Sequence, residues 1–157
     1  NSIAYSGYHL FTEDVVGALR FYGAAITGID DDVRLSKRLN MPSNRLRGFE
    51  SGKVGPKDGL DYVGGNYVTT LNLEAALPNL LPEATNTDVA VFMDLGNIWG
   101  ADYDSSVGES NKLRSSIGLA TNMFTPVGPL NFVFAQSLSS AGTDRTETFR
   151  FQLGTSF

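Results

Sequence analysis

The sequence contains no cysteine, so neither a disulfide framework nor a thiolate metal site is available to it, and the compartment is left open. Charge is scarce at 18% of 157 residues, and the balance of −5 lacks the basic surface that phosphate backbones require. Nucleic acid is therefore excluded as a partner. No window approaches the roughly 18 uninterrupted apolar residues of a transmembrane helix. A transmembrane barrel survives that test, because its strands show the membrane only every second side chain, and a mean hydropathy near neutral suits that division. The lone histidine, His9, has no Ser or Asp partner in the pattern, and no Gly-x-Ser-x-Gly elbow is present. An enzyme is not expected, and no residue is assigned a catalytic, cofactor-binding or metal-binding role. The chain also begins at Asn1 with neither methionine nor signal peptide, so it reads as a piece of a longer precursor.

What is abundant points to strands. Seventeen glycines, 10 Phe and 6 Tyr against few charges suit an all-β protein, and the length suits one domain. Residues 2–11 and 15–27 read as strands joined by the polar turn Thr12-Glu13-Asp14. Val15, Leu19 and Phe21 share a face in the second, with Arg20 opposite. The face of the first stays open, because Tyr5 and Tyr8 fall on opposite sides. His9 reads as an interfacial or lumenal strand residue. A connection over residues 30–66 follows, too long for a hairpin and too patterned for a linker. It opens with Asp30-Asp31-Asp32, a solvated turn without the further ligands calcium needs. Lys37, Arg38, Arg45 and Arg47 make it locally basic. Such a cluster is usually wet surface; for Arg47 the alternative is a carboxylate partner elsewhere in the fold.

Residues 67–77 alternate cleanly, with Tyr67, Leu71 and Leu73 on one face and Asn72 and Glu74 on the other. After a Pro- and Asn-rich turn at 78–86, Val89, Val91, Met93 and Leu95 continue the apolar face, and Phe92 and Asp94 lie opposite. Glu74 and Asp94 thus face one side of neighbouring antiparallel strands, a natural receptor for a guanidinium. A second polar loop, 97–111, holds Trp99 and Tyr103 as candidates for an interfacial aromatic girdle; its Asp102 and Asp104 lack the ligand count of a metal site. Strands resume over 112–124, around Leu130, Phe132 and Phe134 after the turn Thr125-Pro126-Val127-Gly128-Pro129, and over 147–157. In the last, Phe149, Phe151, Leu153 and Phe157 oppose Thr148, Arg150, Gln152 and Gly154. Seven segments of about 10 residues, tilted about 45°, would cross an apolar band of about 23 Å. Short turns alternate with long loops, as in outer-membrane barrels.

Leu46-Arg47-Gly48-Phe49 resembles the (Val/Ile)-Arg-Gly-(Phe/Tyr) signature of the BamA-like outer-membrane insertase family. Val54-Gly55-Pro56, Gly64-Gly65-Asn66, Asn72-Leu73-Glu74, Phe92-Met93-Asp94-Leu95-Gly96-Asn97-Ile98-Trp99 and Pro126-Val127-Gly128-Pro129-Leu130 resemble further family blocks, in family order. Gln152-Leu153-Gly154-Thr155-Ser156-Phe157 resembles the terminal β-signal by which barrel proteins are recognised. The resemblance implies the C-terminal half of a barrel over residues 1–157, about seven of sixteen antiparallel strands, with loop 30–66 folded into the lumen. It further implies that Arg47, with Gly48 and Phe49, meets Glu74 and Asp94 on the inner wall. Phe149, Phe151, Gln152, Leu153, Gly154 and Phe157 would form one side of a lateral seam whose other side, the first barrel strand, is not in this sequence. The implied activity is folding and insertion of outer-membrane proteins, without cofactor. The implied partners are unfolded outer-membrane substrates, accessory assembly lipoproteins and outer-membrane lipids. Two alternatives remain at this level: a two-partner secretion pore of the same superfamily, and a soluble β-sandwich binding domain.

Overall fold

Period-two alternation commits most of the chain to strands, which the computed structural model describes over residues 1–29, 34–100 and 112–153. The strands are β1 (Ser2–Thr12), β2 (Val15–Ala25), β3 (Lys57–Asp58), β4 (Asp61–Tyr62), β5 (Tyr67–Leu77), β6 (Thr87–Trp99), β7 (Arg114–Thr125), β8 (Gly128–Ser139) and β9 (Phe149–Leu153). Seven of them form one sheet in the order β1-β2-β5-β6-β7-β8-β9, each pair antiparallel. β3 and β4 form a separate small hairpin within the connection between β2 and β5. Among the described residues no helix is long and apolar enough to cross a membrane.

The register sorts the two faces. Leu19, Leu73, Met93 and Ile117 stand in one cross-strand row on the outward face, and Leu19, Leu73 and Ile117 are exposed there, as are Val91, Leu119, Phe134 and Phe151. On the inner face one row runs Ala18, Glu74, Phe92, Gly118 and Ala135, and the next runs Arg20, Asn72, Asp94, Ser116 and Ser137. An exposed apolar face on one side and a polar face on the other is the arrangement of a barrel wall in lipid. In β1, Tyr5 pairs with Phe21 on the outward side, whereas Tyr8 is inward with Arg20 5.7 Å from its ring. His9 pairs across from Gly17 and packs edge-on to Phe11 at 4.8 Å, which puts it on the outward side.

Several boundaries differ from the alternation reading; β1 runs through Thr12 and β2 ends at Ala25 rather than at residue 27. β6 continues through Trp99, because Asn97, Ile98 and Trp99 pair with Thr69, Val68 and Tyr67, and the Trp99 ring stacks on Tyr67 at 5.6 Å. β7 starts at Arg114 rather than at residue 112. β9 begins at Phe149; just before it Thr148 still accepts from Ala135 N–H, but Arg145 and Glu147 bond to the long connection. Asp30, Asp31, Asp32, Asp102, Tyr103, Asp104, Gly154 and Phe157 lie outside the described residues.

The apolar core lies between the inner wall and the connection laid across it. Met41, Leu46, Phe49 and Val54 from the connection pack with Val68 and Ile98 from the wall, flanked by Tyr22 and Leu39. Leu39 and Gly65 exchange backbone hydrogen bonds of 2.9 Å, closing the connection on itself. Gly118 shapes the wall where it meets this layer: a Cβ there would lie 2.7 Å from Phe92 Cζ and 2.1 Å from the Phe134 carbonyl oxygen. Filling such a site forces neighbours to move, at a cost of about 1–3 kcal/mol. We expect Gly118→Ala to push back the β8 backbone at Phe134 and Ala135, displace the Phe92 ring and lower the temperature at which the barrel loses its heat-modifiable gel mobility; an unchanged transition would show that strand and ring both give way without cost.

Candidate functional site

The inner rows place two acids one residue pair apart, and the connection delivers a guanidinium to both. Gly48 turns the chain with φ of +88°, a conformation open to glycine but strained for other residues. A side chain there would also press on Ala135 and Ser116, with Cβ contacts of 3.0 and 3.2 Å. The turn brings Arg47 down onto the wall. Its Nε donates to Asp94 Oδ2 at 2.7 Å and its Nη2 to Asp94 Oδ1 at 2.8 Å, a two-pronged fork. Nη1 donates to Glu74 Oε2 at 2.8 Å. The Arg47 backbone N–H adds a bond to Asp94 Oδ2 at 3.0 Å, and the Arg47 carbonyl accepts from the Ser116 hydroxyl.

Asp94 is fully buried, where a carboxylate is costly unless all its acceptor sites are hydrogen-bonded. Arg47 supplies three donors and the Asn72 amide a fourth, at 2.9 Å. That fills the four or so lone-pair sites of a carboxylate. Asn72 also donates to the Arg45 carbonyl at 2.6 Å, and the Arg45 guanidinium lies 4.5 Å from the Tyr22 ring. Arg20 approaches Glu74 at 3.6 Å, so two cations face two anions. Beneath the Arg47 guanidinium, at 3.6 Å, lies the ring of Phe92, a cation–π contact of the kind strengthened by desolvation. Burial pulls the Arg47 pKa down, but the hydrogen bonds and charges of Asp94 and then Glu74 outweigh it and hold the pKa above the ordinary value.

The remaining residues of the Arg-Gly-Phe run pack as one unit. Phe49 is 1% exposed within the core. Its position bridges Thr146, with Glu147 N–H donating to the Gly48 carbonyl and Glu50 N–H to the Arg145 carbonyl, both at 2.9 Å. On the far strand Phe149, Phe151 and Leu153 face outward opposite Phe134, Phe132 and Leu130, and Gln152 stands opposite Asn131. These residues do not approach Arg47; they stand on β9, two strands beyond β7.

Sequence reasoning missed a second ion pair. Arg114 and Asp144 are both fully buried, with Nε to Oδ2 at 2.7 Å and Nη2 to Oδ1 at 3.1 Å. Arg114 Nη1 also donates to Asn97 Oδ1 and the Lys112 carbonyl. Asp144 accepts the N–H groups of Gly55 at 3.1 Å and Ala141 at 2.8 Å. The pair therefore ties the Val54-Gly55-Pro56 run and the β8–β9 connection to the start of β7. Arg114 follows the alternation of β7, on the same face as Ser116 and Gly118, but Asp144 sits in an irregular segment with no period. Phe92 was likewise legible as inward, and an aromatic on an otherwise polar face was the available signal.

A membrane-type sheet with an inward-folded Arg-Gly-Phe loop held by wall acids defines an outer-membrane barrel of the kind that carries such a loop. The model of the Omp85 superfamily domain matches residues 2–157, and the chain belongs to that family. It is a BamA-like member and an outer-membrane protein. It is 30% identical over 141 residues to the outer membrane protein assembly factor BamA of Neisseria meningitidis serogroup B, covering 71% of this chain and 17% of that protein. To BamA of Neorickettsia risticii it is 29% identical over 146 residues, covering 91% of this chain and 19% of that protein. The crystal structure of BamA from Haemophilus ducreyi lacking POTRA domains 1-3 superposes with a TM-score of 0.82 at 25% identity, over 96% of this chain and 33% of that one. The chain thus spans less than a fifth of these curated relatives and a third of the solved chain.

Removing one partner from a buried pair typically costs about 3–5 kcal/mol because the other charge is stranded. In the full-length protein we expect Arg47→Ala to destabilise the barrel on that scale, and Arg47→Ala with Asp94→Ala to be milder than the sum of the two single changes. Urea unfolding in detergent micelles measures this, and strictly additive losses would mean that the two side chains do not share a term.

Proposed function

We propose that this stretch of barrel belongs to an assembly factor that folds and inserts outer-membrane proteins, working through a seam beside β9. The reading is supported most directly by the loop that Arg47 pins to Glu74 and Asp94 on the inner wall of a sheet similar to that of assembly factors. In this reading a β9 edge exposed at the seam would carry a row of backbone donors and acceptors able to template an incoming strand. The relatives named as outer membrane protein assembly factors support the same reading. The mechanism is non-covalent and invokes no catalytic group. An unfolded substrate adds a strand to the edge by backbone hydrogen bonding, while the bilayer thins nearby to match a shorter apolar span.

In this mechanism the bonds of Arg47 to Glu74 and Asp94 brace residues 30–66 across the lumen, while Gly48 and Phe49 fit the loop to the wall. Phe149, Phe151, Gln152 and Leu153, with Gly154 and Phe157 beyond the described residues, supply the seam strand. Accessory lipoproteins and outer-membrane lipids are the further partners. A secretion pore requires an open conduit, and the apolar layer of Met41, Leu46, Phe49 and Val54 on the inner wall favours bracing over conduction. A soluble sandwich would need to cover the outward face that Leu19, Leu73, Ile117 and Phe151 leave exposed.

The test is insertion by vesicles carrying the full-length protein. A urea-denatured outer-membrane barrel added to these vesicles should reach its folded, heat-modifiable form faster than with protein-free vesicles, and Arg47→Glu should remove most of the acceleration. Equal rates with and without the protein, or release of a soluble substrate instead of insertion, would overturn the reading.

A further inference from the structure

The run into the seam strand is bonded to the internal loop as well as to β8. Thr148 offers its carbonyl to Ala135 N–H at 2.9 Å on the β8 side, but Arg145 and Glu147 bond to Glu50, Lys53 and Gly48 of the loop. At the second residue of β9, Arg150 points inward from opposite Val133. Its Nη2 donates to the Phe49 carbonyl at 2.7 Å and its Nη1 to the Ser43 carbonyl at 3.1 Å. Glu147 Oε2, 3.1 Å from Nη2, orients the fork. On the outward side β9 is held by ring contacts, Phe149 to Phe134 at 4.9 Å and Phe151 to Phe132 at 5.3 Å. Lipid tails are as apolar as those rings, so burial of the rings against each other gains little there. Beside the backbone ladder to β8, the polar contacts on the lumenal side are therefore the ones that hold β9 in place.

We propose that Arg150 is a positioning residue that couples the internal loop to the seam strand. Its fork holds the loop carbonyls of Ser43 and Phe49, so β9 is released from its place as the loop gives up those bonds. Arg47 fixes the loop two residues before Phe49, and the wall acids thereby act on β9 through the loop backbone. This rests on the assembly-factor reading for its purpose, since the seam is where β9 matters, and it names what regulates that seam.

The experiment follows amide hydrogen exchange in the full-length protein in lipid vesicles without substrate, comparing peptides over residues 145–153 with peptides from β5 and β6. Arg150→Ala should speed exchange in 145–153 by about tenfold relative to β5 and β6, the scale of a lost hydrogen bond to a charged group. Arg150→Lys should not restore it, because an ammonium cannot span both carbonyls as the planar fork does. Arg47→Ala should speed exchange in the same peptides and add little once Arg150 is Ala. Independent, multiplicative effects of the two changes, full restoration by Lys, or no response of 145–153 to Arg47→Ala would each overturn the coupling. Should Arg150→Ala fail to assemble, Glu147→Gln carries the test: a smaller increase that disappears in the Arg47→Ala background is expected, and an increase unaffected by Arg47 overturns it. The same vesicles report insertion separately. Coupled exchange without accelerated insertion sinks the assembly reading alone, and accelerated insertion with uncoupled exchange sinks the role of Arg150 alone.

Discussion

A fully buried carboxylate is the constraint around which this wall is built. Asp94 sits at the centre of a sheet whose other face is apolar, where an unpaired charge would cost several kcal/mol even after relaxation. Among the described residues no strand of the sheet supplies a cation that reaches it. Arg20, in the same cross-strand row, leans to Glu74 instead. The compensating charge therefore has to come from outside the sheet, and Arg47 brings a backbone donor with it. One carboxylate thus fixes side chain and main chain of the loop together, which an ordinary surface ion pair does not do.

The surrounding packing follows from that requirement. Arg47 can lie flat only over a flat surface, which Phe92 provides, and the Phe92 ring has its place only because Gly118 carries no side chain. Gly48 is needed for a related reason, since the chain must turn back within contact distance of Ser116 and Ala135. The small and aromatic residues of the two inner rows form one surface with the loop as its complement. At the other end of the loop the Arg114–Asp144 pair repeats the same logic in a fully buried setting, with the backbone N–H of Gly55 as the group delivered.

Much of this arrangement was legible in the sequence, for a specific reason. Side chains in strands alternate with a period of two, so Glu74 and Asp94 could be placed on one face by counting, and the outward set of Leu19, Leu73, Val91 and Phe151 by the same count. Counting loses its force where the chain leaves the sheet. Asp144 lies in a segment without period, and nothing local marks it as the partner of a residue thirty positions earlier. The bonding of residues 145–147 to the loop was hidden for the same reason: Thr146 and Glu147 have strand-like neighbours, and only the tertiary path decides which backbone they meet. The side of β1 could not be assigned because both faces carry aromatics, and the pairing of Tyr5 with Phe21 decides it.

These two kinds of contact divide the work of the β9 side of the sheet. A strand that lies along a wall in lipid gains its pairing from backbone hydrogen bonds, and its outward rings add contact area without the solvent-driven term they would have in water. Position along such a strand is then weakly specified by its outward contacts unless something polar fixes it. The inner contacts of Arg150 and Glu147 meet that need from the lumen, where water and the loop compete for the same donors. Because the loop is itself held by Arg47, the place of β9 depends on a buried carboxylate three strands away. A change at Asp94 is therefore felt at β9 through covalent chain and short hydrogen bonds, with no need for the sheet between them to deform.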